Sequence, residues 1–222
     1  MKPIKIGILG GIGPEATGEF YLRLINEIQK IGIKNNSDFP QIIINSIPAP
    51  ELIYDKISNK DLKFYIKGLK ELEEFKVDFI VMICNTIHLY LDKLKKEIKI
   101  LLIDLKKEIY NYLIKNKIKR ITVLGTPNTI KKLYRFKGIK SIDISKNEIA
   151  ELSKIIFDFN RGINNKDKLK KIVKKYIKKD SMIILGCTEL AVILKNEDIP
   201  KMDTMDILLE SVIKRFRRES FL

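Results

Sequence analysis

Long apolar runs are missing from this chain. None approaches the roughly 20 residues that cross a bilayer, and strand-like runs break within about eight. The opening Met1-Lys2-Pro3-Ile4-Lys5 leads into a strand-like run without the zones of a signal peptide, so a cytoplasmic protein without a membrane partner is expected. Cysteine is scarce, at two in 222 residues, which is too few for a disulfide framework. With one histidine and no Cys-x-x-Cys pair, four-ligand zinc spacing is absent and no metal is expected. The glycines after the first strand do not complete Gly-x-Gly-x-x-Gly, no acidic residue ends the second strand, and no Gly-Lys-Ser/Thr loop occurs. Dinucleotide and Walker-type sites are therefore not expected. No linker rich in Pro, Gly or Ser divides the chain.

Acidic residues are the minority, 28 against 43 Lys and Arg, for a formal net charge of +15 and a pI near 9.6. That balance admits a basic nucleic-acid-binding protein. The lysines, however, run along helix-like stretches such as Lys168-Leu169-Lys170-Lys171 and Lys174-Lys175, with no aromatic interleaving. They are read as solvated helix faces in a lysine- and isoleucine-rich background, and no nucleic-acid partner is expected.

What is present is a strand–helix rhythm. Strands are expected at 5–10, 41–46, 79–83, 100–103, 120–124, 141–144 and 182–185. Helices are expected at 14–30, 60–75, 89–96, 105–115, 129–134, 148–159, 167–178, 189–194 and 206–217. Alternation of this kind implies parallel sheets covered on both faces, an α/β fold. The cycle restarts midway: Ile6-Gly7-Ile8-Leu9-Gly10-Gly11 and Ile121-Thr122-Val123-Leu124-Gly125-Thr126 are similar strand-to-Gly turns. Two Rossmann-like (flavodoxin-like) lobes related by a pseudo-twofold are expected, residues 1–104 carrying Cys84 and 105–204 carrying Cys187. The last helix, 205–222, is free to pack back on the first lobe.

The two cysteines occupy twin settings. Phe79-Ile80-Val81-Met82-Ile83-Cys84-Asn85-Thr86 and Met182-Ile183-Ile184-Leu185-Gly186-Cys187-Thr188-Glu189 each end an apolar strand in a thiol followed by small polar residues and a helix-like stretch. That places each thiol at the carboxyl edge of a parallel sheet, where open α/β folds bind ligands and where a helix N-terminus lowers a thiol pKa. Gly10-Gly11-Ile12-Gly13-Pro14 follows the first strand on the same edge. Its glycines let backbone N–H groups of Gly11, Ile12 and Gly13 approach an anion. The bland alternatives are a small buried hydrophobe for each cysteine and a tight turn with Pro14 at the first helical position.

These residues resemble the aspartate/glutamate racemase superfamily, and within it the aspartate racemase branch. The resemblance runs through Gly7 to Thr17, Cys84-Asn85-Thr86-Ile87-His88, Leu124-Gly125-Thr126-Pro127-Asn128-Thr129, Leu185 to Leu190 and Asp203-Thr204. It implies racemisation of an acidic amino acid, aspartate first, without pyridoxal phosphate or another cofactor. Cys187 would take the proton from the L-enantiomer and Cys84 from the D-enantiomer, each thiol serving one face of the α-carbon. Asn85, Thr86, Thr126, Thr129 and Thr188 would hold the substrate. Glu189 could accept its ammonium or orient Cys187, and His88, one helical turn after Cys84, could tune that thiol. A homodimer is also implied.

Three departures from the family pattern bear on the substrate. The loop Ile47-Pro48-Ala49-Pro50-Glu51-Leu52 lacks the usual arginine, Arg161 stands where a lysine usually precedes Gly162, and Leu208 replaces a histidine. Arg161 is the expected contact for a distal carboxylate. The rival readings are a racemase of glutamate or another amino acid, and a related isomerase or decarboxylase using cleft cysteines.

Overall fold

The structure is a computed structural model that describes residues 4–52, 57–177 and 181–220. Lys178, Phe221 and Leu222, included in the expected helices, and Met1 to Pro3 lie outside the described residues. Two four-stranded parallel sheets form two lobes. The first contains β1 (Lys5–Gly10), β2 (Gln41–Ser46), β3 (Phe79–Met82) and β4 (Leu101–Leu102), in the order β2-β1-β3-β4. The second contains β5 (Arg120–Gly125), β6 (Lys140–Ser141), β7 (Met182–Gly186) and β8 (Met202–Asp203), in the order β6-β5-β7-β8. The orders correspond strand for strand, so each cysteine follows a strand that pairs directly with the Gly-ended first strand of its lobe.

The helices are α1 (Pro14–Gln29), α2 (Asn59–Glu74), α3 (Leu91–Leu94), α4 (Leu105–Lys115), α5 (Lys146–Phe159), α6 (Lys166–Tyr176), α7 (Thr188–Ile193) and α8 (Thr204–Ser220). Their starts follow local chemistry. Pro14 opens α1, where its missing N–H costs nothing. Ser58 and Asp61 form a reciprocal capping box on α2, and Ser145 and Glu148 do the same on α5. In α6, Leu169, Ile172 and Val173 turn inward while Lys168, Lys171, Lys174 and Lys175 stay exposed, the lysine face read from the sequence.

Two expected elements take other forms. The helix expected over 89–96 is a 3-10 helix, Thr86–Tyr90, running into the short α3. The helix expected over 129–134 is a π turn, Thr129–Leu133. The two-residue β8 has no expected counterpart, because a pair of residues carries no readable alternation.

One apolar core runs through both lobes. Ile6, Ile8, Phe79, Val81 and Ile83, on one face of the first sheet, join Phe20 and Leu24 of α1, Leu105 and Ile109 of α4, and β5 and β7 in a single cluster. The opposite face, with Leu9, Ile80 and Met82, packs separately on α2 and α3. The last helix α8 packs on α1 and α4. Arg23 of α1 fastens its start, meeting Asp203 at 2.6 Å and Asp206 at 2.8 Å.

Asp203 is nearly buried, so Arg23 is the charge that makes its ionised form tolerable. Arg23→Ala should therefore cost about 1–3 kcal/mol in urea unfolding, less than a fully buried pair because both side chains keep some contact with water. Adding Asp203→Asn should recover part of the loss. Unchanged stability in Arg23→Ala would show that the pair is not a fastening.

Candidate active site

β3 and β7 end facing each other, and both thiols line one cavity of about 230 Å³. Gly11, Ile12, Gly13 and Pro14 form one wall. Asn85, Thr86, Thr126, Thr188 and Glu189 supply its polar groups, and Ala49, Glu51 and Leu52 close the side nearest β2. Ile156 and Asn160, from the end of α5 and just beyond it, complete it. Among the described residues, no Lys or Arg lines the cavity.

The lobes are tied together at the cavity floor. Asn85 follows Cys84 in the first lobe, but its partners belong to the second. Its Nδ2 donates to Thr204 Oγ1 at 2.9 Å, and its Oδ1 accepts from the Tyr134 hydroxyl. Thr204 in turn donates to the Leu185 carbonyl at 3.1 Å. One Nδ2 hydrogen of Asn85 remains for a ligand. Thr86 meets Thr126 at 3.0 Å and Thr129 at 3.1 Å, while Thr126 and Thr129 are 3.0 Å apart. This triangle of hydroxyls crosses the seam. An entering carboxylate can take its protons, because hydroxyls rotate to suit an acceptor.

The second lobe reaches back in the same way. Glu189 lies against Gly13, whose φ of 73° suits glycine, and a Cβ there would stand 2.6 Å from Glu189 Oε1. The glycine thus opens the slot that the carboxylate fills. Thr17 braces this loop, accepting from the Gly11 N–H at 3.0 Å and donating to the Gly13 carbonyl at 3.2 Å.

Both thiols are free and nearly sealed, Cys84 at 7% exposure and Cys187 at 6%. The expectation that helix starts lower their pKa values is reversed. Burial pushes Cys84 up to about 12, and Glu189 adds to it; the backbone N–H groups of Ile87 and Thr86 oppose the rise without cancelling it. Burial and then Glu189 also raise Cys187 well above an ordinary thiol. Desolvation outweighs a helix terminus when the helix is a short 3-10 turn or, like α7, six residues long.

Of the expected site residues, Gly11, Ile12, Gly13, Cys84, Asn85, Thr86, Thr126, Cys187, Thr188 and Glu189 meet at the cavity. Thr129 lies just beneath it, through the hydroxyl triangle. His88 and Arg161 are not brought to it. His88 falls within the 3-10 turn, where a four-residue step ends about 120° away from the starting face rather than on it. It is buried against the Met82 backbone, and burial lowers its pKa to about 4. Arg161 is exposed, its guanidinium 5.4 Å above the Phe157 ring. The residue before it, Asn160, lines the cavity and favours the ionised form of Glu189 by a hydrogen bond. Asn160 and Tyr134 carry no motif of their own. Only the neighbourhood of Arg161-Gly162 pointed toward Asn160.

Other proteins are similar to this chain in sequence and fold. A broad specificity amino-acid racemase, RacX, of Bacillus subtilis is 28% identical over 222 residues, covering 95% of this chain and 97% of that protein. The crystal structure of an aspartate racemase homologue from Pyrococcus horikoshii matches with a TM-score of 0.73 at 26% identity, over 96% of this chain and 99% of that one. A glutamate racemase from Francisella tularensis, in complex with D-glutamate, has a TM-score of 0.69 at 18% identity, over 100% of this chain and 84% of that one, and so shares the fold. The family model described as Asp/Glu/Hydantoin racemase matches residues 9–212, and the chain belongs to that family of racemases.

Proposed function

We propose that this protein is a cofactor-independent racemase that interconverts L- and D-amino acids by a two-thiol, two-base mechanism. The observation that carries the reading is the pair of free thiols lining one small cavity at matching strand ends of two lobes. Inversion at the α-carbon needs a proton removed from one face and another delivered to the opposite face. One base cannot readily serve both, and two facing thiols can. In this reading Cys187 takes the α-proton of the L-enantiomer while Cys84 donates to the far face, and the roles exchange for the D-enantiomer. The remaining Asn85 N–H, the Thr86 and Thr126 hydroxyls and the Thr188 hydroxyl hold the α-carboxylate. They stabilise the negative charge that spreads onto it as the carbanion develops.

An acidic amino acid, aspartate first, is the leading substrate, supported by the family and by the aspartate racemase branch of the resemblance. A second reading, an uncharged side chain, is favoured by one observation: Glu51 lines the cavity, and among the described residues no cation does. A homodimer in the cytoplasm, with a free amino acid rather than nucleic acid as its partner, completes the proposal.

Proton–deuterium exchange at the α-carbon, followed across a panel of L-amino acids in deuterated water, tests substrate and chemistry together. Aspartate or glutamate should exchange and lose optical rotation. Exchange confined to uncharged side chains would move the assignment to the second reading, and no exchange in any member would end it.

The thiols give a sharper expectation. Cys84→Ser and Cys187→Ser should each lower racemisation by at least about a thousandfold, the scale of losing an acid–base partner. Each should keep α-proton exchange for one enantiomer only, the one whose proton faces the surviving thiol. Substantial racemisation by either variant would sink the two-thiol mechanism.

A further inference from the structure

The two thiols have different partners. Cys187 Sγ donates to Glu189 Oε2 at 2.8 Å, and Thr188 Oγ1 approaches the same oxygen at 3.2 Å. Glu189 is 5% exposed, and no Lys or Arg among the described residues pairs with it. A buried carboxylate without a counter-charge is costly to keep, and the Gly13 slot holds it against Cys187 nonetheless. Among the described residues, Cys84 has no carboxylate in hydrogen-bond contact. Backbone N–H groups serve both thiols, Thr86 and Ile87 at Cys84 and Glu189 at Cys187, so the carboxylate is what sets Cys187 apart.

Resting on the racemase reading, we propose that Glu189 is a catalytic residue, the base that takes the Cys187 proton so that this thiol can act on the substrate. The S–H bond of Cys187 breaks and an O–H bond forms on Glu189 Oε2. During this transfer the pair keeps its one negative charge, so the thiolate forms without adding net charge to a site where burial penalises charge. The Cys187 thiolate then takes the α-proton of the L-enantiomer, and Cys84 gives its own proton to the opposite face and is left as a thiolate. Glu189 returns its proton to solvent and Cys84 regains one from it, which closes the cycle. Cys84 is activated differently, its thiolate being held by backbone donors without a bonded carboxylate.

The other titratable groups around the pair are Cys84 after β3, Tyr134 after the π turn and Glu51 in the loop after β2. Asn160 and Thr188 are the neutral polar neighbours. Arg161 points away, and residues 53–56 lie outside the described ones.

The test uses the full chain with one thiol at a time and iodoacetamide as probe, from about pH 7 to about pH 9. In Cys84→Ser, only Cys187 reacts. An internal proton transfer does not consume hydroxide, so its alkylation rate should change less than about threefold per pH unit. In Cys84→Ser/Glu189→Gln the proton must leave to solvent, and the rate should climb about tenfold per unit. In Cys187→Ser, the Cys84 rate should climb about tenfold per unit with Glu189 in place. Parallel tenfold slopes for Cys187 and Cys84, or a Cys187 profile unchanged by Glu189→Gln, would overturn the proposal.

Burial raises the folded-state pKa of Glu189, so its contribution to stability falls as pH rises from the unfolded value near 4.3 through the folded one. Glu189→Gln should accordingly melt higher than the parent above about pH 5, with the gap closing below about pH 4. If that variant fails to fold, the comparison of Cys84→Ser with Cys187→Ser still decides the matter. The alkylation profile needs no substrate. A protein that racemises nothing would defeat the enzyme reading while leaving this proton transfer to be judged separately.

Discussion

The site depends on a single apolar core that belongs to both lobes. One face of the first sheet, through Ile6, Ile8, Phe79, Val81 and Ile83, is buried in the same cluster as β5, β7, α1, α4 and α8. Interiors pack at crystal-like density, so lobes joined in this way do not slide past each other freely. The ends of β3 and β7 are consequently held at one seam, and the thiols after them share one cavity. The polar ties at the floor add register. Asn85 is gripped by Tyr134 and Thr204, and Thr86 enters a triangle with Thr126 and Thr129. Arg23 supports this at a distance, fixing Asp203 and Asp206 on either side of the turn that presents Thr204.

Much of this architecture was legible in the residues. Strands such as Lys5–Gly10 and Phe79–Met82 stand where their continuous apolar character put them, because parallel strands buried on both faces need no alternation. The twin Cys settings and the Gly-rich turn also announced one edge of each sheet. Less legible were features that depend on packing between lobes. Asn160 and Tyr134 reach the site only through tertiary contacts, with no local pattern to mark them. Arg161 drew attention as a cation beside a glycine, yet α5 ends so that Asn160 faces inward and Arg161 lies over Phe157. His88 was misplaced by assuming an α-helical step where the chain makes a 3-10 turn. The direction of the thiol pKa values was missed for a related reason: a sequence shows a nearby helix start but not the depth of burial, and burial is the larger effect.

Burial creates a difficulty that the site must solve. A two-thiol reaction needs a thiolate, while a nearly sealed cavity with no Lys or Arg among its described lining opposes new negative charge. Two solutions are present on the two sides. At Cys84 the backbone N–H groups of Thr86 and Ile87 offer partial positive charge. At Cys187 the backbone N–H of Glu189 does the same, and in the proposed transfer the Glu189 carboxylate already carries the charge and exchanges it along a 2.8 Å hydrogen bond. The substrate's ammonium group would bring a full positive charge to a cavity lined by Glu51 and Glu189, and would help the ionised form on either side.

This asymmetry has a thermodynamic limit. The two enantiomers of an amino acid have the same free energy in water, so a racemase must show the same kcat/KM in both directions, however different its two faces are. A carboxylate beside only one thiol therefore cannot favour production of one enantiomer at equilibrium. It can divide the same ratio differently between kcat and KM for the L- and D-forms, because it changes which protonation state of the free enzyme each form must meet. The unlike partners of Cys84 and Cys187 thus belong to the rate of proton supply on each face, while the shared cavity, with its common carboxylate-binding groups, belongs to both directions equally.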